Sequence, residues 1–360
     1  MYSVRLILFF LGMRVLITDS YARHIGRSLV RAFALLHHDA RLVFDDRGFY
    51  LFGYQALAYS PFRNGARALL ARHERYTGAK LKTAVRDFKP DAIVVVGGDY
   101  VNGSDIALVR KRYAIPVINW VAHDPTLSEF FDPLRIENLA EYDHICIADE
   151  LWEPCVYFFG KPFTYVPLGG DESAYRPLNL KKDIDILFAG DFFPSSPHTA
   201  GGIVHARVLE RLLEKGYNVQ AFVHHRSAIL PFVPPLKKLA IIRGAHTPQA
   251  LNALYNRAKI VLNLFPLDFK HDAPEALFNV ALSDSFQLAE YKKNILSLFG
   301  GAVEQFDSLQ SLEEKISGYL PNEAARAHQA KAAYAVARGR HTYAHRAQDI
   351  LEIIARYQRR

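Results

Sequence analysis

The sequence predicts an α/β protein with two parallel β-sheets, each covered by helices on both faces. From Met13 onwards, short runs rich in β-branched residues alternate with helical patterns, which is typical of consecutive βαβ units. The runs are almost continuously apolar, as strands buried on both faces require. The pattern stops in a turn-rich segment near residues 170–180 and then starts again. A chain of 360 residues, 50% of them hydrophobic, is long enough for two such domains.

The first half contains the runs that we interpret as the strands and helices of one sheet. The predicted strands cover residues 15–18, 41–44, 92–96, 116–120, 144–148 and 163–167. The helical patterns cover residues 25–38, 64–88, 104–113, 127–139 and 151–159. Residues 1–12 contain an apolar run that is much shorter than the roughly 20 residues of a membrane-spanning helix, so we interpret them as an extension.

The second half repeats the alternation. Its predicted strands cover residues 184–189, 219–223, 239–243, 260–265 and 286–289. Its later helices cover residues 248–257, 274–282, 309–320, 323–337 and 343–358. We therefore expect an N-terminal domain over 1–172, a C-terminal domain over 173–340 and a final segment, 341–360, that packs back on the N-terminal domain. Ligands of open α/β sheets bind outside the carboxyl ends of the strands, so the loops there are the candidates for chemistry.

The composition argues against several classes of protein. Two cysteines, Cys146 and Cys155, are too few for a disulfide-stapled scaffold or a multi-thiolate metal centre, and we expect a cytoplasmic protein with both reduced. The histidines show no metal-ligand spacing, so we predict neither a metal nor another cofactor. The net charge of +7 favours anionic partners. The basic run 66–89 predicts a solvated helix face, or else a peripheral contact with an anionic membrane or a phosphorylated acceptor, and no nucleic-acid-binding motif is present.

The loop after the fourth predicted strand carries His123 and Asp124, followed by Pro125. Because Pro125 disfavours helical geometry at the preceding residue, both polar side chains can project from the strand end. A histidine can donate to a sugar hydroxyl or phosphate there, and a carboxylate can act as a base. The alternative is that Asp124 caps the next helix and His123 packs beneath it.

A second candidate loop joins the strand 184–189 to a helix. It runs from Gly190 to Gly202 and includes Asp191, His198 and Gly201. The backbone N–H groups at the start of the following helix suit a diphosphate.

A third candidate loop leads from His271 into a helix that begins near Pro274. Asp272 is a candidate cap for that helix, and Glu275 in its first turn can reach a ribose. The alternative is a plain capping arrangement, in which Glu275 only complements the helix dipole.

Taken together, the loops resemble those of nucleotide-sugar glycosyltransferases of the GT-B fold, in particular the spore-maturation-type branch. The resemblance is strongest over residues 243–263, 286–291 and 341–346, while 115–124 resembles the strand that delivers the family's active-site histidine. It implies two Rossmann-like, doubly wound domains that face each other across a cleft. It also implies metal-independent transfer of a sugar from a nucleoside diphosphate to a glycan, lipid-linked or small-molecule acceptor, as in cell-surface polysaccharide biosynthesis.

By this resemblance, His123 contacts the donor sugar, and Asp124 supports it or approaches the acceptor. The loop 190–202 would cradle the diphosphate, the helix start 274–279 would hold the phosphates and ribose, and the base would lie near 244–247. The donor-binding residues that the resemblance implies are Gly190, Asp191, His198, Gly201, Gly202, Gly244, His246, His271, Pro274, Glu275 and Asn279.

Three positions depart from the family pattern. Many relatives have a glutamate where Asn279 stands and an arginine where Ala276 stands, and the position of a paired glutamate is taken by His271. The alternatives to a transferase are therefore a non-catalytic nucleotide- or glycan-binding protein and a nucleotide-sugar epimerase.

Overall fold

The chain forms two compact units in the computed structural model. The described residues are 12–19, 25–45, 63–98, 101–122, 124–125, 136–190, 201–222, 239–241, 247–265 and 271–358. The first unit comprises Met1–Pro167 and Tyr343–Arg360, and the second comprises Leu168–Thr342. The sequence-based boundaries, after residues 172 and 340, lie within a few residues of these divisions.

Within its described part, the first unit contains a six-stranded parallel sheet. The strands are β1 (Arg14–Asp19), β2 (Asp39–Asp45), β3 (Ala92–Val96), β4 (Val117–Val121), β5 (His144–Ile147) and β6 (Phe163–Tyr165). The helices are α1 (Ile25–Leu35), α2 (Arg63–Phe88), α3 (Gly103–Tyr113) and α4 (Glu153–Tyr157). The strand order is β2-β1-β3-β4-β5-β6, so the direction of strand addition reverses between β1 and β3. Such a topological switch point is where parallel sheets bind ligands.

The second unit is built on another six-stranded parallel sheet. Its strands are β7 (Ile184–Ala189), β8 (Val219–Phe222), β9 (Ala240–Ile241), β10 (Ala258–Asn263), β11 (Gln287–Glu290) and β12 (Glu304–Phe306). The order β12-β11-β10-β7-β8-β9 places the switch point between β7 and β10. The apolar side chains of these central strands, among them Ile186, Phe188, Ile260 and Leu262, form the core of the unit.

Helices surround the second sheet. They are α5 (Gly201–Glu214), α6 (Pro248–Arg257), α7 (Glu275–Leu282), α8 (Lys293–Phe299), α9 (Leu309–Tyr319) and α10 (Glu323–Arg340). The last helix, α11 (Tyr343–Gln358), belongs to the first unit and packs against α1. Among the described residues, no helix combines the length and the apolar character needed to cross a membrane.

Three local predictions need correction. The sequence analysis does not predict α8 or β12, because seven and three residues are too few for a periodic pattern to show. The predicted helix 151–159 is a 3₁₀ turn, Glu150–Trp152, followed by α4, whose first turn contains Pro154. Proline lacks the N–H that would continue the preceding turn, so the helix starts anew there. The predicted helix 127–139 lies mostly outside the described residues, and its end belongs to the 3₁₀ turn Asn138–Glu141.

Candidate functional site

The carboxyl edge of the second sheet brings the ends of β7 and β10 together at the switch point. Gly190 follows β7, and its N–H donates to the carbonyl of Phe222 in β8 at 3.1 Å. A Cβ at Gly190 would lie 2.8 Å from the ring of Phe188. A larger residue at this point would therefore have to displace the ring.

Helix α7 begins at the same edge. Its N-cap residue is Pro274, whose side chain makes no capping hydrogen bond. Helix α6 differs, because Thr247 Oγ1 accepts a hydrogen bond from the N–H of Ala250 at 3.2 Å. The first N–H groups of a helix carry partial positive charge, so the start of α7 is suited to an anion.

Asp272, the predicted cap of α7, makes a contact with α8. Its buried Oδ2 accepts a hydrogen bond from Asn294 Nδ2 at 3.0 Å. The N–H of Asn294 donates in turn to the carbonyl of the half-buried His271 at 2.9 Å. The loop before α7 is thus attached to α8, a contact that the sequence analysis missed because it does not predict α8.

Glu275, in the first turn of α7, lies within electrostatic range of two buried tyrosines. The rings of Tyr175 and Tyr255 stack with their centroids 5.9 Å apart. Burial raises the pKa of both hydroxyls, and the negative charge of Glu275 raises both further. Both hydroxyls therefore remain protonated at neutral pH, and they provide potential donors near this carboxylate.

Asn279 has a partner within its own unit. Its buried side-chain Oδ1 accepts a hydrogen bond from the N–H of Asp171 at 3.0 Å. Asp171 lies in the segment that precedes β7, and its own Oδ1 accepts from the N–H of Ser173 at 3.0 Å. One polar atom of Asn279 is therefore used to hold this segment.

A polar cluster, formed by the buried His205, the half-buried Glu290 and the Phe265 backbone, lies beside the switch point. Glu290 Oε2 accepts a hydrogen bond from the N–H of Phe265, just after β10, at 3.0 Å. Burial lowers the pKa of His205 on α5, while the charge of Glu290 and a hydrogen bond to the Phe265 backbone oppose this decrease. The cluster fixes the backbone at the carboxyl end of β10.

In the first unit, Asp124 lies just beyond β4 and is buried. Burial raises the pKa of the Cys155 thiol, and the negative charge of Asp124 raises it further, which places the two side chains near each other. The predicted partner of Asp124, His123, lies outside the described residues.

Several other predicted site residues also lie outside the described part of the chain, namely Asp191, His198, Gly244 and His246. Gly201 and Gly202 form the start of α5, which has no acidic residue in its first turn. Within the described ranges, no group of three His, Cys, Asp or Glu side chains could hold a metal ion.

Residues 206–352, which include α7 and most of the second sheet, match the family model described as Glycosyl transferase-like. This segment is similar to a glycosyl transferase-like domain. No curated protein is significantly similar to the chain in sequence.

Solved glycosyltransferase structures share the fold of the whole chain. Sucrose-phosphate synthase from Thermosynechococcus elongatus has a TM-score of 0.67 and 10% identity, over 95% of this chain and 98% of that one. The α,α-trehalose-phosphate synthase (UDP-forming) from Burkholderia vietnamiensis has a TM-score of 0.63 and 10% identity, over 95% and 99%. Anabaena HepE in complex with UDP has a TM-score of 0.57 and 11% identity, over 95% and 100%. The predicted GT-B fold and the predicted resemblance to its glycosyltransferases are confirmed.

The matched segment contains the predicted residues from His271 to Asn279, and it also contains Glu290, which the sequence analysis missed. His205 was missed as well and directly precedes the matched segment. Glu290 is the last residue of a strand at the carboxyl edge, and that position is the signal that could have identified it. His205 lies within a helix and has no comparable sequence signal.

Proposed function

We propose that the protein transfers a sugar from a nucleoside diphosphate donor to a glycan, lipid-linked or small-molecule acceptor. The observation that carries this proposal is the start of α7, whose N-cap residue is a proline, beside the switch point of a sheet in a segment that is similar to glycosyl transferase-like domains. A diphosphate is the part of the donor that an exposed set of backbone N–H groups recognises. Gly190, which directly follows β7 at the same edge, supports the same location for the donor.

In the proposed reaction, an acceptor hydroxyl oxygen bonds to the anomeric carbon as the bond from that carbon to the β-phosphate oxygen breaks. The electron pair of the broken bond leaves with the nucleoside diphosphate, and the hydroxyl proton passes to a base. The positive end of the α7 dipole stabilises the departing charge, so this reaction requires neither a metal ion nor a cofactor. We assign the contact with the donor sugar to His123 and the supporting or basic role to Asp124, which lies at the end of β4.

The first test is the thermal unfolding of the full-length protein with a panel of nucleoside diphosphates and their sugar conjugates. UDP comes first, because one structural neighbour holds UDP and another is named UDP-forming. We expect one nucleotide to raise the Tm by several degrees, since a ligand at about 100 times its Kd adds about 2.7 kcal/mol to the free energy of unfolding. The absence of a shift with every nucleotide would contradict the proposal.

A pair of matched variants locates the nucleotide. Ala276→Asp adds a carboxylate at the second position of α7, and Gln249→Asp adds one at the second position of α6, whose start is capped. We expect Ala276→Asp to raise the Kd of the nucleotide about tenfold through charge repulsion, and Gln249→Asp to leave it unchanged. Equal effects of the two variants in calorimetric titration would show that the nucleotide does not bind at α7.

Asn279 favours a second candidate function, a protein that binds a nucleotide or glycan without turnover. Many relatives have a glutamate at this position, whereas here the Oδ1 of Asn279 holds the N–H of Asp171. To distinguish the two functions, the sugar conjugate of the nucleotide that shifts the Tm is supplied to the protein. Release of free nucleoside diphosphate, with or without an acceptor, supports the transferase, and binding without release supports the second function.

We further propose that α2 makes a peripheral contact with anionic lipid. One side of this helix is exposed and carries Arg72, Arg75, Lys80 and Arg86, with Tyr76 between them. Lys80 Nζ lies 4.6 Å from the centroid of the Tyr76 ring. Basic residues with an exposed aromatic side chain fit an anionic bilayer surface.

Co-sedimentation with phosphatidylglycerol-containing vesicles tests this contact. We expect the double variant Arg72→Glu/Arg75→Glu to bind at least about tenfold more weakly, because each basic residue at such a surface contributes about 1 kcal/mol. The control is Arg338→Glu/Arg340→Glu, which changes two exposed arginines of α10. An equal loss of binding in both double variants would assign the interaction to net charge rather than to α2.

A further inference from the structure

The switch point of the first sheet lies between β1 and β3, and its carboxyl edge differs in chemistry from that of the second sheet. Asp19 ends β1, and Gly97 and Gly98 follow β3, both with positive φ. Asn119 and Asp124 lie on and just after the neighbouring strand β4. Under the proposed function, this edge is the acceptor side.

The helix starts at this edge are occupied by the protein's own side chains. Asp19 Oδ2 accepts a hydrogen bond from the N–H of Gly26, in the first turn of α1, at 2.7 Å. A Cβ at Gly26 would lie 2.7 Å from the Cβ of Asp19, so glycine is required for this close approach. At the start of α3, the N–H of Gly103 donates to Asn138 Oδ1 at 3.1 Å, and that of Ser104 donates to Asn102 Oδ1 at 3.0 Å.

The same arrangement follows β5. Asp149 is fully buried, and its Oδ1 accepts from the N–H of Leu151 at 2.9 Å. Asp149 thus joins Asp19 and Asp124. The three buried carboxyl side chains lie at the carboxyl ends of three strands of the same sheet. Arg27, in the first turn of α1, is exposed, so solvent screens its charge more effectively than that of the buried carboxylates.

A buried acceptor without a donor lies beneath this edge. Asn119 is fully buried, and its Nδ2 donates to the carbonyl of Gly97 at 2.9 Å. Its Oδ1 has no hydrogen-bond partner within the described part of the chain, and neither has Oγ1 of the buried Thr18. Thr18 and Asn119 both pair in register with Val95, so all three side chains lie on the same face of the sheet. Buried oxygens of this kind need O–H or N–H donors, supplied by a ligand or by water.

We propose that the acceptor is an uncharged molecule that presents hydroxyl groups to this edge, and that the edge disfavours phosphorylated acceptors. The inference rests on the proposed transfer reaction. The hydroxyl groups of such a molecule donate hydrogen bonds to Asn119 and to the carboxylates. A phosphate dianion has no hydrogen atom to donate. The starts of α1, α3 and the turn Glu150–Trp152, which could otherwise bind a phosphate, are already capped by side chains of the protein. The fold alone does not decide the charge of the acceptor, because two structural neighbours are named for sugar phosphates.

The experiment uses the full-length protein saturated with the nucleotide that shifts its Tm. Glucose is compared with glucose 6-phosphate, and fructose with fructose 6-phosphate, by saturation-transfer NMR and by the rate of nucleotide release from the sugar conjugate. We expect the neutral sugar of a pair to bind at least about fivefold more tightly than its phosphate. Equal or tighter binding of the phosphate overturns the proposal, and so does the failure of every sugar to bind while the nucleotide still binds. Sugar binding without nucleotide binding instead contradicts the proposed function.

Variants test the carboxylates directly. Asp19→Asn and Asp149→Asn retain the capping oxygen, because asparagine is among the best N-caps, and remove one negative charge each. We expect the double variant to reduce the preference for the neutral sugar by about fivefold or more. The control is Asp91→Asn at the amino edge of the same sheet, where Asp91 Oδ2 accepts from the N–H of Arg14 at 2.7 Å. An unchanged preference in the double variant, or an equal change in the control, overturns the proposal.

Discussion

Replacement of Asn256 by alanine is expected to lower the free energy of unfolding by about 3 kcal/mol. Asn256 lies near the end of α6 and is buried. Its Oδ1 accepts a hydrogen bond from the N–H of Leu178 at 2.6 Å, and its Nδ2 donates to the carbonyl of Arg176 at 3.1 Å. One side chain therefore satisfies two backbone groups of the segment that leads into β7.

Asn252, one turn earlier on α6, extends the same network. Its Oδ1 accepts hydrogen bonds from Ser283 Oγ at 2.7 Å and from the N–H of Arg176 at 3.3 Å. Asn256 Nδ2 also donates to the carbonyl of Asn252 at 2.9 Å. Alanine at position 256 would leave the N–H of Leu178 and the carbonyl of Arg176, both in partly buried hydrogen bonds, without these partners, at up to about 1–3 kcal/mol for each group.

Urea denaturation of three variants measures the effect. Gln249→Ala removes an exposed amide from the same helix and is expected to change the free energy of unfolding by less than about 0.5 kcal/mol. Asn256→Asp keeps the acceptor for Leu178 but removes the donor to Arg176, so it should also be destabilising. A loss of less than about 1 kcal/mol for Asn256→Ala would show that water replaces the amide.

The architecture was predictable because its main signals are local. Strands buried on both faces are nearly continuous apolar runs, and β3 and β7 have the bounds that the sequence indicates. The elements α8 and β12 were not predicted, since seven and three residues form too short a pattern and owe their structure to neighbours distant in sequence.

The candidate site was predictable only where residues close together in the sequence form it. Proline at the start of α7 marks a helix N-terminus in the sequence, and the structure places this proline at the N-cap. The contacts of Asn279 with Asp171 and of Glu290 with Phe265 join residues 108 and 25 positions apart, so no local pattern reveals them. The contact of Asp272 with Asn294 was missed for the same reason, because Asn294 lies on the unpredicted helix α8.

Each sheet has chemically different edges. The candidate site residues follow the strands, at the carboxyl edges, whereas a second polar network of the first unit lies where β5 begins. There, His144 Nδ1 lies 3.1 Å from Tyr357 Oη of α11, and His144 Nε2 lies 2.9 Å from Thr164 Oγ1 of β6. Tyr357 Oη donates to the carbonyl of Asp143 at 2.8 Å, so it must accept from His144. The neutral ring therefore carries its proton on Nδ1 and accepts from Thr164 at Nε2.

This buried histidine is expected to make the protein less stable in acid. Burial, followed by the nearby charge of Arg356, lowers the pKa of His144 from 6.5 to about 4. Between these values the unfolded chain binds a proton that the folded chain does not, so stability decreases as the pH falls from 6.5 to about 4 and is fully retained above 6.5. The loss is at most about 3 kcal/mol, because one pKa unit corresponds to about 1.4 kcal/mol.

Chemical denaturation across this pH range tests the effect with His144→Gln, whose amide can donate to Tyr357 and accept from Thr164 but cannot titrate. This variant should show a smaller acid-dependent decrease than the unmodified protein, by up to about 3 kcal/mol, which is the contribution of His144. The control, His328→Gln, replaces an exposed histidine of α10 and should retain that decrease. If His144→Gln loses stability in acid as steeply as the unmodified protein does, the decrease arises from other groups, and the network of His144, Tyr357 and Thr164 tolerates a protonated ring. Because the network lies at the amino end of β5, neither variant should change nucleotide binding at α7.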